Sequence, residues 1–353
     1  MNTIYIRTLK RAEHTVFCVQ DGQKYYYDSQ FNRRIPYSSG QQIKRSILDK
    51  LSVTINKQPA PTTFLFDVNT KGELKEGEVF AACDPSYPDQ LFGGWMKAAK
   101  GGNEKTVKRR SPFSISAMRG LHPLLAGVDN ENISFDRTDR PDNKVIVRDE
   151  IGQTLTTEQI EALLSGKDRS LNRKWIPDNR RAGGLFVQDI AIDLRRLFCI
   201  TLNQFEPEIS PETEVRLREK GWIESENVFG KCLVAPEDER KKLIPALAEA
   251  IIEWSITSNQ SRTFSLMETL AVTISDNANR IASSIRAKLS EEEENKAYPI
   301  VDEDLPGVST YVTLSAGGYI RTKTESFDAL DNAKNKLREL MFSFNYTKQL
   351  EED

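Results

Sequence analysis

The chain has 353 residues, long enough for a substantial core and for either one large domain with insertions or two domains. A formal net charge of -3, with 38% hydrophobic and 29% charged residues, excludes a global polycation, so any nucleic-acid contact must rest on local basic patches. Cys18, Cys83, Cys199 and Cys232 form no C-x-x-C pair and read as reduced buried thiols; His14 and His122 lie too far apart for an obvious metal site or Ser-His-Asp triad, and without a signal peptide or long apolar span the expected compartment is the cytoplasm.

In chain order, "NTIYIRTLK" from Asn2 alternates apolar and polar residues and predicts a half-buried strand. "HTVFCVQ" predicts a second strand after a short loop. "QDGQKYYYDSQFNRR" carries Asp-Gly turn chemistry and ends in a polar loop. A helix follows over 38–51, where Ser38 or Ser39 can cap free amides and Ile43, Ile47, Leu48 and Leu51 recur at core-facing spacing. "TTFLFDVN" predicts a strand, and a loop-rich stretch runs from Cys83 to Arg110. From Lys97 to Arg110 that stretch holds six basic residues against Glu104. "SPFSISAM" and "LFVQDIAIDL" predict strands, separated by some sixty mostly polar residues with one short helical pattern, "TEQIEALLSG". Such a length is abnormal for a passive connection and reads as a protruding functional insertion.

The remainder gives an amphipathic helix over "RKKLIPALAEAIIEWSI" with Leu247, Ile251 and Trp254 on its core face, a strand at "METLAVTISDN", an exposed acidic loop at "EEEENKAYPIVDEDLP", and a C-terminal amphipathic helix at "ESFDALDNAKNKLRELMFSF". Strand, helix, strand, strand, helix, strand predicts an α+β fold of the ferredoxin-like type, the scaffold of RNA-recognition modules, interrupted by large insertions.

On the first helix, Ser38, Gln42, Arg45 and Asp49 share a polar face, with Gln41 and Lys44 on its flank. Hydroxyls, amides and a guanidinium at a helix start suit phosphate oxygens. A capped helix with a solvated polar face accounts for the same pattern. In the insertion, "GKDRSLNRKWIPDNRR" has six basic residues against Asp168 and Asp178 around Trp175, a composition suited to a strand whose bases can stack, or to a charged loop.

The segment "RRIPYSSGQQIKRSI" closely resembles the "RR-V-x-I-S-S-Q-x-L-K-R-A" signature of the Cas-seven (DevR-type) family, the backbone subunits of CRISPR Cascade complexes, with one extra residue, Gly40 or Gln41, after the serines. "FGGWMKA" looks like that family's "S-G-R-M" loop with Trp95 in place of the arginine. "SPFSISAM" and "GGLFVQDIAIDLRRL" are similar to the strands that bracket its thumb, and "SNQSRTFSLMETLAVTISD" resembles its "K-Q-R-T-Y" block.

The resemblance implies an RNA-recognition-like palm of antiparallel sheet and packed helices over 1–82, 111–123 and 185–353. Fingers would occupy 83–110 and a thumb 124–184. It implies that copies stack along CRISPR RNA and leave the guide free to pair with target DNA. Arg34, Ser38, Ser39, Gln42, Lys44 and Arg45 would grip guide phosphates, Trp95 and Met96 would pack on bases, and Lys97, Arg109 and Arg110 would form a basic finger. Gln260 and Arg262 would make a further phosphate contact, and Arg173, Lys174, Trp175, Arg180 and Arg181 would belong to the thumb. Implied partners are further copies, a Cas-five cap, a large subunit and a Cas-six endonuclease. No catalytic residue, cofactor, metal or membrane is expected. Two alternatives stand: a type III-like subunit cleaving target RNA through Asp28, and a stand-alone RNA-binding protein.

Overall fold

The computed structural model describes residues 1–17, 23–99, 105–136, 144–166, 173–256 and 265–350, with backbone alone for 131–136 and 173–179. Strand β1 (Thr3–Thr15) sends Ile4, Ile6 and Ala12 to one side of a sheet and Leu9 to the other, the period-two consequence of the pleat. It is one strand through Thr15: a bulge between Ala12 and Thr15 keeps the chain paired, so no separate strand begins at His14. β2 (Tyr25–Asp28) and β3 (Arg33–Ser38) form a hairpin where a polar loop was expected. Its β-forming tyrosines and Ile35 outweigh the turn chemistry around them.

Helix α1 (Gly40–Thr54) begins two residues later than expected, because Ser39 is extended and accepts a hydrogen bond from the Gln42 amide at 3.3 Å. Ile43, Ile47 and Leu51 are buried and Leu48 packs partly against the same core. Full burial of each such side chain is worth about 1.5–3 kcal/mol. A ribbon, β4 (Thr63–Leu65) and β5 (Glu78–Phe80), precedes α2 (Pro88–Gly93). The expected loop over 83–110 thus contains α2 and a second ribbon, β6 (Trp95–Lys97) with β7 (Val107–Arg109).

The stretch read as one strand at "SPFSISAM" is two, β8 (Phe113–Ile115) and β9 (Met118–Gly120). β10 (Ala126–Asp136) then pairs antiparallel with the outer half of β11 (Arg173–Asp193), from Ala126 opposite Gly184 to Asp136 opposite Arg173. The insertion is therefore a two-stranded arm, and its return strand continues unbroken into the central sheet. Gly184, at the arm's foot, has φ +120°, and a Cβ there would lie 2.3 Å from the Leu125 carbonyl oxygen. Between β10 and β11 in sequence, α3 (Thr157–Leu164) forms where expected and carries a capping box between Thr156 and Gln159.

After β11 come α4 (Leu194–Leu197), β12 (Cys199–Thr201), α5 (Pro211–Glu219), β13 (Ile223–Asn227) and β14 (Gly230–Val234), the three strands making a small sheet ordered β12-β14-β13. α6 (Glu237–Glu253) places Glu237, Asp238 and Glu239 in its first turn, favourable to the helix dipole, and buries Leu247 and Ile251, with Trp254 just beyond. β15 (Glu268–Ser275) and α7 (Ala278–Ser284) lead to a hairpin of β16 (Ile285–Leu289) and β17 (Ala297–Val301), so part of the expected acidic loop is a strand. β18 (Ser309–Thr313), β19 (Glu325–Ser326) and α8 (Ala329–Phe342) complete the chain.

The protein is a mixed α+β molecule with one large sheet of ten strands. The main order is β19-β18-β15-β1-β11-β9-β3-β2, with β8 and β10 also on β11. At its centre each neighbouring pair in the order β15-β1-β11-β8 is antiparallel. Side chains of α1, α6 and α8 share one apolar core with Ile4, Ile6, Ile190 and Ile274. Lys50 of α1 ties α6 through Glu249 and Glu253 at 3.1 and 3.2 Å. The opposite face is covered by Ile285, Val301, Ala316 and Ile320 around Leu9. Arg7 stitches that side, meeting both Asp189 carboxylate oxygens at 2.6 and 3.0 Å and the Ile285 carbonyl at 3.0 Å. Cys83, Cys199 and Cys232 are buried free thiols; Cys18 lies outside the described residues. No helix among the described residues is long and apolar enough to cross a membrane.

Candidate nucleic-acid interface

The start of α1 packs tightly on the sheet: a Cβ at Gly40 would lie 2.5 Å from the Ile115 carbonyl oxygen, so a glycine is required for this approach. Ser38 falls in β3, not on the helix. It is buried, and its hydroxyl has no hydrogen-bond partner among the described residues. It therefore does not share the helix's polar face. Ser39 spends its hydroxyl on the Gln42 amide. Gln41 is exposed and Gln42 half-buried.

Lys44 donates to the Gly93 carbonyl at 2.7 Å. Burial, with the Arg109 charge adding to it, lowers its pKa to about 8. Arg45 is exposed and pairs with Asp49 at 2.9 Å, one helical turn on. Gln41, Lys44 and Arg45 line a cleft of about 240 Å³ closed on its other side by Gly93 and Gly94.

A second constellation lies where the β2–β3 hairpin meets the foot of the arm. The guanidinium carbons of Arg34 and Arg180 lie 5.2 and 4.8 Å from the centroid of the Tyr25 ring. Hairpin register sets this up: Arg34 is opposite Tyr27, which makes it a diagonal neighbour of Tyr25 on one face. On the other face of the hairpin, Tyr26 and Tyr37 stand 6.2 Å apart. Tyr37 is paired with Arg119 of β9, whose guanidinium is half-exposed and 3.8 Å from Asp189. Burial raises the Tyr26 hydroxyl pKa, opposed by the Arg119 charge and assisted by Asp28. Arg33 and Arg34 are exposed. Basic groups interleaved with rings are what a single strand of nucleic acid needs: cations for phosphate, faces for bases.

Tyr25, Tyr26, Tyr37 and Arg119 were not anticipated from the sequence. The signal present was the tyrosine run six to nine residues ahead of the arginine pair, legible only once the hairpin is recognised. Asp28 terminates β2 and accepts from the Phe31 amide at 2.9 Å, the work of a turn residue.

The basic finger divides. Trp95 is 7% exposed and its Nε1 donates to the Glu208 carbonyl at 2.7 Å, so its ring is core rather than a platform for bases. Arg109 is 4% exposed. It donates to the carbonyls of Leu91, Arg196 at 2.8 Å and Cys199 at 3.2 Å, and Glu208 lies 3.8 Å away. Burial lowers the Arg109 pKa to about 10 and raises that of Glu208. Arg109 is thus a buried fastener, not a surface cation. Met96, Lys97 and Arg110 are exposed.

In the arm, Arg180 is half-buried and Arg181 buried, each in backbone pairing with β10. Arg173, Lys174 and Trp175 lie on β11, their side chains outside the described residues, as are Gln260 and Arg262 altogether. Among the described residues no group of three His, Cys, Asp or Glu side chains could hold a metal ion.

No family model matches the chain, and no curated protein does. Among solved structures, it is similar to a chain described as "CRISPR RNA-guided surveillance complex, pre-nicking", at 10% identity and a TM-score of 0.43, covering 96% of this chain and 89% of that one. A second, described as "CRISPR RNA-guided surveillance complex", is 10% identical with a TM-score of 0.42, covering 95% of this chain and 99% of that one.

Proposed function

We propose that this protein is a non-catalytic, single-stranded RNA-binding subunit that holds a CRISPR guide by its backbone, as the Cas-seven (DevR-type) subunits of type I Cascade complexes do. The observation that supports this best is the Tyr25–Arg34–Arg180 constellation at the foot of a two-stranded arm, on a chain whose net charge is only -3. With so little global field, affinity has to come from a local patch, and this one combines cations with an aromatic face.

The order β15-β1-β11-β8, threaded as strand, helix, strand, strand, helix, strand, supports a ferredoxin-like palm. On this reading 1–82, 111–123 and 185–353 build the palm, 83–110 the fingers, and the arm within 124–184 the thumb. Arg34 and Arg180 contact phosphates with Tyr25 against a base, and Ser39, Gln42, Lys44 and Arg45 flank the same strand. Copies lie side by side along the guide in the cytoplasm, with a Cas-five cap, a large subunit and a Cas-six endonuclease. Target DNA is read by base pairing while protein grips the sugar-phosphate chain.

The test is co-expression with a CRISPR array and the neighbouring genes, followed by purification. The wild-type assembly retains small RNA of uniform length and several copies of this chain, and Arg34→Glu with Arg180→Glu loses the RNA while keeping the folded monomer. A wild-type assembly free of RNA overturns the reading.

A further inference from the structure

A second aromatic-arginine site lies beyond the α1 cleft, at the root of the finger. The turn between β13 and β14 carries Phe229, held by the Asn227 side chain, which accepts from the Phe229 amide at 2.8 Å and donates to the Arg195 carbonyl at 3.2 Å. Asn227 is itself 4% exposed, so the turn is fixed to α4 rather than loose. The guanidinium carbon of Arg196 sits 3.6 Å from the Phe229 ring centroid and that of Arg195 5.2 Å away. Both arginines are oriented by Asp193, at 2.9 Å for Arg195 and 3.9 Å for Arg196, and Glu208 lies 3.7 Å from Arg196.

In front of this stack opens a cavity of about 500 Å³, within the ~300–1,000 Å³ typical of small-ligand sites. Its wall includes exposed Met96 and four basic side chains, Lys108, Arg109, Arg110 and Arg196, against Glu206 and Glu208. Lys108 and Glu206 pair with each other at 2.9 Å, and Arg109 is committed to backbone carbonyls. Arg110 is exposed and has no hydrogen bond or ion pair among the described residues. The cavity therefore offers a ring and guanidinium plane for stacking, a flexible apolar thioether, and an uncommitted cation. Gly93 and Gly94 wall the α1 cleft, and Trp95 and Met96, next along the chain, wall this cavity.

We propose that this cavity is a nucleotide pocket for the same single-stranded RNA, taking one base against Met96 and the Phe229–Arg196 stack and its phosphate on Arg110. The proposal rests on the RNA-binding function above and adds a second, separate point of hold. A strand anchored at Tyr25 and seated here is gripped at two separate points.

The test uses the full chain and short single-stranded RNAs carrying 2-aminopurine, whose emission falls on stacking, at successive positions. In the wild type, one position is quenched by this pocket. Phe229→Leu, which keeps apolar volume, abolishes that quench and leaves quenching at the Tyr25 site intact, and Arg110→Ala weakens binding by about tenfold with an unchanged unfolding midpoint. If the wild type binds RNA but neither variant alters signal or affinity, the pocket is wrong and the RNA-binding function stands. If the wild type binds no RNA at all, both fall.

Discussion

Arginine lies over an aromatic ring in both the finger and the hairpin, and the two instances do opposite things. Arg109 lies 5.6 Å from the Trp95 ring centroid, much as Arg34 lies 5.2 Å from that of Tyr25. The difference is what else each guanidinium can reach. Arg109 is enclosed, and its terminal nitrogens meet carbonyls from two distant parts of the chain, Leu91 and the 196–199 segment, with Glu208 nearby, so it holds α2, β7 and the segment after β11 together. Arg34 is exposed, with no hydrogen bond or ion pair among the described residues. The same pairing is a rivet when buried and a landing site when open.

The sharpest way to break this contrast is stability. Arg109→Ala removes one of the two cations beside the buried Glu208 carboxyl, leaving Arg196 at 3.7 Å, and deprives three backbone carbonyls of their donor; the expected loss is about 3–5 kcal/mol in urea unfolding. Arg34→Ala should stay within about 0.5 kcal/mol of wild type, and comparable losses in the two variants would erase the distinction.

Next in size is the effect on RNA. Replacing Tyr25 by Ala should cost about 1–3 kcal/mol of binding to single-stranded RNA, measured by anisotropy, while Tyr25→Phe retains most of it because the ring face carries the contact. A Phe variant as weak as the Ala variant would shift the weight to the hydroxyl.

Salt dependence gives a finer reading. If Arg34 and Arg180 each neutralise one phosphate, Arg34→Ala with Arg180→Ala should flatten the log-log salt slope by about 1.4, at about 0.7 per phosphate for single strands. An unchanged slope would mean that neither side chain touches the backbone.

The smallest effect concerns pH. The Lys44 pKa is lowered from 10.5 to about 8 by burial, with Arg109 adding to it. The folded chain therefore binds fewer protons than the unfolded one between those values, and unfolding free energy rises with pH across that window. Below about 8 both states are protonated and the penalty is present in full; above 10.5 it is gone. Lys44→Met should flatten this portion of the profile, by a modest amount because Lys44 is only partly buried and solvent screens it.

The elements that the sequence disclosed are those with a regular apolar pattern, although β1 and β15 are covered on both faces. β1, α1, α6, β15 and α8 each carry a regular apolar stripe, and Ile43, Ile47, Leu51, Leu247 and Ile251 are all core. The arm was illegible because both faces of its strands are largely polar, leaving no alternation to read. The hairpin hid behind three consecutive tyrosines, which carry no period. Two adjacent serines offered two caps, and only backbone geometry separates the extended cap Ser39 from the strand residue Ser38. Burial of Trp95 and Arg109 depends on partners about 18 to 113 residues away, a distance over which composition is silent. The local basic count therefore overstated the finger's free charge.

The unbroken course of β11 gives the arm an unusual mechanical footing. Most protrusions join a domain through loops and swivel there, whereas this one is a cantilever whose return leg is laminated onto β1 over nine consecutive residue pairs from Asp193 to Leu185. Tension at its far end is delivered as shear along that ladder. The positive-φ glycine at the root stays in register with Ala12 on one side and Ala126 on the other, so the base of the limb is fastened along both edges.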